Sequence, residues 1–308
     1  MKRWGVLGGG GIAPSHLISL QRLPEVEVVG VADVDAGARA RMTSQFGVPA
    51  FASIERLLDE TRPDAVTIAL PAPLHLAATR LAAERRIHVL CEKPLAASTA
   101  DAEEMIATAR AAGIQLGAIL NNRGYAQTRW VKAAIDAGRL TPRVVSVRAA
   151  MARFRGEAGP MVFGLAIHYL DLMRWWLGEP AEVSGLAGDG YVLGAVRFAA
   201  GAGDLRLAGI GPTSAGVKVD VEFEEGRLTL GRYGIESCDP ALGEPPPWDP
   251  EVEGMDFGAG HLTVIREAAE ALEAGEPFPV PGQAGRDAVA LCEAIVRAAE
   301  THTWEAVA

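Results

Sequence analysis

Cysteine is scarce in this chain: Cys91, Cys238 and Cys292 are the only three in 308 residues. They are too few and too scattered for a disulfide framework or a zinc site, and a reducing cytoplasm is the expected compartment. Lysine- and arginine-rich blocks are also missing, and the formal charge is 29 − 39 = −10. That balance argues against nucleic acid or an anionic membrane surface as the main partner. It leaves room for an anionic small molecule held by local dipoles. No apolar run is long enough to span a bilayer, and the N-terminus enters a strand pattern without a signal-peptide layout. Internal repeats and low-complexity tails are absent too. What the chain has is apolar mass: 308 residues at 49% hydrophobic carry material for two cores, so two domains are expected.

Up to about residue 120, apolar runs alternate with helical patterns. Strands are expected at Arg3–Leu7, Val26–Ala32, Ala65–Ala69, His88–Cys91 and Ile114–Ile119. Helices are expected between them at Ile12–Leu23, Ala36–Phe46, Ser53–Asp59, Leu74–Arg86 and Ser98–Ala112. Ser53 and Ser98 suit N-caps, and Gly113 suits a C-terminal glycine. This alternation predicts an α/β fold with a Rossmann-type, doubly wound parallel sheet over residues 1–120.

Beyond that point the rhythm changes. Helices at Tyr125–Ala137 and Leu165–Leu177 accompany strand-like runs at Val144–Arg153, Ala181–Ala187, Val192–Phe198, Leu205–Ile210, Val217–Phe223 and Arg227–Leu230. Short turns such as Ala200-Gly201-Ala202-Gly203 suit hairpins, Pro240–Pro250 reads as a loop, and helices at Ala259–Ala274 and Gln283–Thr301 finish the chain. Residues 121–308 therefore read as an α+β domain with a mostly antiparallel, open sheet.

The most informative segment is Gly8-Gly9-Gly10-Gly11, between the apolar run ending at Leu7 and a helix opening at Ile12. Its form is Gly8-x-Gly10-x-x-Ala13, and the next strand ends at Asp33, 25 residues beyond Gly8. Strand, glycine turn, helix, strand and acid make a dinucleotide cradle. The first glycine permits the tight turn, the second admits a pyrophosphate, and a small third residue lets helix and strand approach. The N–H groups at the helix start face the phosphates. Asp33 suits both adenosine ribose hydroxyls, and no arginine beside it would neutralise a 2′-phosphate. NAD is expected ahead of NADP, with Arg39 and Arg41 the residues able to reach back.

Two further segments stand at the C-terminal ends of expected strands, where open α/β sheets bind ligands: Leu70-Pro71-Ala72-Pro73-Leu74-His75 and Cys91-Glu92-Lys93-Pro94. With the glycine turn and Ile167-His168-Tyr169-Leu170-Asp171, they make the chain similar to the glucose–fructose oxidoreductase / inositol dehydrogenase (Gfo/Idh/MocA) family over nearly its whole length. The resemblance implies a nicotinamide-dependent oxidoreductase acting on a hydroxyl or carbonyl of a sugar, sugar derivative or cyclitol. It implies Lys93 as acid/base with His168 as a second proton-handling group. Gly8, Gly10, Gly11, Ile12, Asp33, Pro71, His75 and Glu92 would line the cofactor, and Arg123 and Asp171 would touch substrate. Pro94 would follow a cis peptide bond. A homodimer or homotetramer built on the open sheet is implied too, with no metal.

Chemistry supports the lysine on its own terms. To accept a hydroxyl proton near neutrality, a lysine pKa must fall by about three units from about 10.4, roughly 4 kcal/mol. A partly dry pocket beside an oxidised nicotinamide pushes in that direction. His168 on an apolar helix, with Asp171 one turn on, reads by spacing alone as a structural pair. His16, His88, His261 and His302 have no local context beyond surface or packing. Trp175-Trp176 reads as core rather than a sugar platform.

One departure matters. The family's Asp-x-Gly-x-His pattern reads here Gly164-Leu165-Ala166-Ile167-His168, so the expected aspartate is Gly164. Loss of such a partner costs about 10²–10⁴ in rate, and upstream Glu157 is the nearest substitute. Two alternatives to a dehydrogenase therefore stand beside it: a dinucleotide-bound sensor with little turnover, and an NAD-dependent glycoside hydrolase.

Overall fold

The computed structural model describes residues 1–150, 158–209, 216–231, 234–247 and 259–307. Among them, 1–124 and 259–289 form one compact unit, and 125–247 and 290–307 form another.

The first unit opens β1 (Lys2–Leu7), α1 (Ala13–Gln21), β2 (Val26–Ala32), α2 (Ala36–Phe46), β3 (Ala50–Phe51), α3 (Ile54–Thr61) and β4 (Ala65–Ile68). It continues with α4 (His75–Glu84), β5 (His88–Glu92), α5 (Thr99–Ala112) and β6 (Leu116–Ile119). The six strands run β3-β2-β1-β4-β5-β6, all parallel. Such strands are covered on both faces, which is why Trp4, Val6, Val66, Ile68, Val89 and Leu90 are all buried. Helix ends follow local chemistry. Ser53 and Ser98 accept N–H groups from Arg56 and Asp101 at 3.2 and 3.1 Å, and Gly113 ends α5 in the left-handed conformation at φ 68°. The two-residue β3 was not anticipated; it is too short to carry a period.

The second unit contains α6 (Ala126–Asp136), β7 (Pro142–Ala150), α7 (Ala158–Met161), α8 (Ile167–Leu177), β8 (Pro180–Gly188), β9 (Tyr191–Phe198) and β10 (Ala202–Ala208). Then come β11 (Gly216–Phe223), β12 (Gly226–Gly231) and β13 (Gly234–Cys238). Helix α9 (Ala259–Ala274) belongs to the first unit, α10 (Gly282–Thr301) contributes residues to each, and β14 (Glu305–Ala306) ends in the second. The eight-stranded sheet is ordered β13-β12-β11-β7-β10-β9-β8-β14. Among the described residues only β7 and β10 pair in parallel in this sheet, so the mostly antiparallel expectation holds.

Ala202 and Gly203, expected in a turn, instead open β10. Their glycine neighbours serve close approach rather than turn geometry. A Cβ on Gly201 would lie 2.3 Å from the Arg143 carbonyl oxygen, and one on Gly203 would lie 2.6 Å from Met173 Sδ. Helix α8 thus presses directly on the sheet through Met173. Strands β13 and β14 were also unforeseen.

Candidate active site

The glycine turn follows β1 and divides into two kinds of position. Gly8 has φ +105°, and a Cβ there would sit 2.5 Å from the Ala69 carbonyl oxygen. The turn from β1 to α1, pressed against the chain leaving β4, therefore demands glycine at this point. Gly10 and Gly11 are exposed, and a Cβ on either would meet nothing within 4 Å. Neither has the backbone conformation that excludes a side chain. Helix α1 then begins with no side-chain cap and with proline in its first turn. Its start thus lacks a side chain that would cover the first N–H groups.

Asp33 follows the last residue of β2. Its Oδ2 accepts the Gly9 N–H at 2.7 Å, and its Oδ1 accepts the Asp35 N–H at 2.7 Å. The carboxylate is thereby fixed beside the glycine turn. Arg39 does reach back, with Nη1 donating to the carbonyls of Asp33 and Val34 at 2.8 and 3.0 Å.

After β4 the chain passes exposed Pro71 and enters α4 at His75, which is buried. Both His75 ring nitrogens face main-chain carbonyls: Nε2 to Leu70 at 2.7 Å and Nδ1 to Leu95 at 3.1 Å. This ring ties the loop after β4 to the loop after β5.

β5 ends at Glu92, which is 5% exposed. Its Oε1 faces two imidazoles, His16 Nε2 at 3.0 Å and His261 Nε2 at 2.9 Å, while Oε2 accepts the Lys93 N–H at 3.0 Å. Burial pushes the Glu92 carboxyl up. Hydrogen bonds from His16 and His261, with the attraction between these groups, outweigh that and hold it well below the usual carboxylate range. Burial likewise lowers His16, against the opposing pull of Glu92. The neighbouring Cys91 thiol is pushed well up, first by burial and then by Glu92, so it is no nucleophile. Lys93 is half-buried, and its bond to Pro94 is cis, as expected.

Arg123 lies half-buried in a short 3-10 turn over Asn121–Gly124. That turn meets the start of α9 with almost no space between backbones: a Cβ on Gly260 would fall 2.2 Å from the Asn121 carbonyl oxygen. The two glycines, Gly124 and Gly260, are what allow α9 to reach Glu92 with His261.

His168 and Asp171 stand on α8 of the second unit, half-buried and fully buried respectively. Helix α8 begins after a π-helical turn over Val162–Ala166, a feature common at functional sites. Gly164 lies in that turn, exposed, with room for a Cβ. Glu157 lies outside the described residues. Trp176 is buried and Trp175 half-buried, with the Lys132 ammonium 5.8 Å from the Trp175 ring centroid. That agrees with a core pair.

Ten of the expected residues thus share the first unit: Gly8, Gly10, Gly11, Ile12, Asp33, Pro71, His75, Glu92, Lys93 and Arg123. The residues that sequence reasoning passed over are His16 and His261. They are separated from Glu92 by 76 and 169 positions, so no local spacing signals them. No helix among the described residues is long and apolar enough to cross a membrane.

Residues 2–119 match the GFO_IDH_MocA family, described as an oxidoreductase family with an NAD-binding Rossmann fold. The chain is 33% identical over 224 residues to 1,5-anhydro-D-fructose reductase of Ensifer adhaerens, covering 65% of this chain and 67% of that one. It is 27% identical over 327 residues to D-xylose 1-dehydrogenase (NADP(+)) 2 of Haloferax volcanii, with 97% of each chain covered. The fold superimposes on the WlbA dehydrogenase of Bordetella pertussis, solved with NADH and UDP-GlcNAcA. That match has a TM-score of 0.84 at 22% identity and covers 100% and 98% of the two chains. The chain belongs to the Gfo/Idh/MocA family and is an NAD(P)-dependent oxidoreductase. These relatives are dehydrogenases and reductases, which favours neither the sensor nor the glycoside hydrolase.

Proposed function

We propose that this enzyme moves hydride between a nicotinamide coenzyme, NAD in preference to NADP, and a hydroxyl or carbonyl of a sugar, sugar derivative or cyclitol. The observation that carries the coenzyme site is the contrast within the glycine turn. Gly8 is required by the fold, whereas Gly10 and Gly11 are required by no contact among the described residues. A pyrophosphate above α1 explains why no side chain is present there. Asp33, held by Gly9 and Asp35 N–H groups, is an acceptor suited to ribose hydroxyls and repels a 2′-phosphate. Arg39 directs Nη1 to the Asp33 and Val34 carbonyls but brings a guanidinium beside Asp33, a feature that favours NADP, so the choice of NAD rests on the Asp33 carboxylate.

When bound, the coenzyme supplies the hydride acceptor or donor. Lys93 takes the substrate's hydroxyl proton in oxidation and returns it in reduction. His168 is read as a second proton-handling group, with Arg123 and Asp171 as substrate contacts. His75 is read as a cofactor-side residue acting by bracing the loops at Leu70 and Leu95. In this reading the first unit holds coenzyme, and the second holds substrate and builds a homodimer or homotetramer in the cytoplasm. Half-exposed Leu186 and Leu193 on β8 and β9 support an associating sheet face, which light scattering tests.

The decisive assay follows absorbance of reduced coenzyme with NAD or NADP against aldoses, anhydro sugars, sugar nucleotides and inositols. Lys93→Ala is expected to lower turnover by about 10²–10⁴ while leaving NAD affinity within a few-fold. Unchanged turnover in that variant would remove Lys93 from the reaction.

A further inference from the structure

His16, Glu92 and His261 meet inside the first unit, and the proton transfers above use neither imidazole. Their ligand atoms all lie within 4.8 Å of one another. Two arrangements bring two imidazole nitrogens against one carboxylate oxygen: a shared divalent cation, or a pair of hydrogen bonds to an anion. The remaining ring nitrogen of His16 decides between them. A metal on Nε2 would force the proton onto Nδ1, and metal-bound imidazoles pass that second N–H to an acceptor. His16 Nδ1 is buried and meets no hydrogen-bond partner among the described residues. A proton there would be a stranded donor, and in the absence of a metal the Nε2 lone pair of that tautomer would also confront the carboxylate lone pairs. With the proton on Nε2, His16 donates to Glu92 Oε1 at 3.0 Å and no N–H is left over. His261 Nε2 serves the same oxygen at 2.9 Å. The His16 geometry therefore fits an anion gripped by an imidazole donor better than a shared cation, and His261 is a second donor when its proton is on Nε2.

Its second oxygen has a different task. Oε2 takes the main-chain N–H of Lys93 at 3.0 Å, at the point where β5 gives way to the loop. His16 comes from α1, the helix that starts at the glycine turn, and His261 comes from α9. We propose that His16 and His261 are positioning residues: they clamp Glu92 so that its other oxygen fixes the Lys93 main chain, and the lysine is presented in one orientation. The consequence for rate, though not the clamp itself, rests on the acid/base role proposed for Lys93.

The test compares His16→Leu, which removes the donor, with His16→Gln, whose amide places an N–H near the lost Nε2. Hydrogen exchange at the Lys93 amide is expected to quicken in His16→Leu and to stay near the parent rate in His16→Gln. With any substrate the parent turns over, kcat is expected to fall by roughly 10- to 100-fold in the leucine variant, the scale of a displaced catalytic group. It should recover to within about threefold in the glutamine variant, with NAD affinity little changed in both. Nitrogen-15 spectra of histidine-labelled parent protein are expected to show His16 as the Nε2–H tautomer, a reading independent of whether the leucine variant folds. An Nδ1–H tautomer, or stoichiometric zinc binding lost in Glu92→Gln, would replace the clamp with a metal site. Unaltered Lys93 exchange in a folded His16→Leu would overturn the proposal. If the parent turns over no substrate, the exchange and tautomer results still decide it, and only the catalytic reading is lost.

Discussion

Replacing Gly8 and Gly10 with alanine, one at a time, separates what the fold demands from what a ligand demands. At Gly8 the new Cβ would have to hold φ near +105° and would meet the Ala69 carbonyl oxygen at 2.5 Å and its carbon at 2.8 Å. Backbone strain of that kind costs about 1–3 kcal/mol, and displacement of a packed backbone adds about 1–3 kcal/mol. A loss near 4 kcal/mol corresponds to a fall of about 8–16 °C in Tm for a unit of this size. At Gly10 the Cβ meets nothing, so stability is expected to be unchanged or to rise by about 0.4–1 kcal/mol through the stiffer unfolded chain. Its effect is expected in binding. A methyl group where the pyrophosphate approaches should weaken NAD by at least about tenfold, or ~1.4 kcal/mol. Scanning calorimetry reads the first quantity and isothermal titration with NAD the second. Undiminished NAD affinity in a folded Gly10→Ala protein would refute the placement of the phosphates. A Gly8→Ala protein as stable as the parent would refute the strain argument.

Two further outcomes are expected. Acid should destabilise the first unit in two stages. The lowered pKa of His16 means the unfolded chain binds the extra proton first as pH falls below about 6.5, and the lowered pKa of Glu92 repeats this below 4.5. Both contributions are therefore present at high pH and lost on acidification, and urea midpoints across pH 8 to 2 should decline with a weaker lower stage in Glu92→Gln. Gly164→Asp supplies the carboxylate that the resemblance to the Asp-x-Gly-x-His pattern implies; the exposed π-helical turn has room for its Cβ. Turnover is expected to rise by about tenfold or more if that acid limits the reaction, and steady-state kinetics with unchanged activity would show that it does not.

The coenzyme half of the fold was legible because its signals are local. Glycine turn, strand and cap lie within a few residues of where they act, Asp33 is marked by the end of its own strand, and Ser53, Ser98 and Gly113 bound helices as their chemistry requires. The second sheet was legible in kind but less so in its edges. Gly234–Cys238 has one large aliphatic residue, Ile235, and no alternation to announce a strand. The π-helical turn before α8 left no mark in the residue pattern: the expected helix opens at Leu165, inside the Val162–Ala166 turn, and no side-chain spacing there separates one helical winding from another. Least legible was the grip on Glu92. His16 resembles any buried helix residue, and His261 follows an excursion through another unit. The close approach of Gly124 to Gly260, with the packing of α9 on α1, brings it home.

That excursion has a consequence for how the protein can be dissected. A fragment cut after residue 124 would contain every strand of the parallel sheet, yet Glu92 would lack one of its two imidazole donors and α1 would lose the helix against which it lies. Grafting the nucleotide module onto another scaffold therefore requires carrying residues 259–289 along, or supplying a surrogate for α9 with a donor where His261 stands.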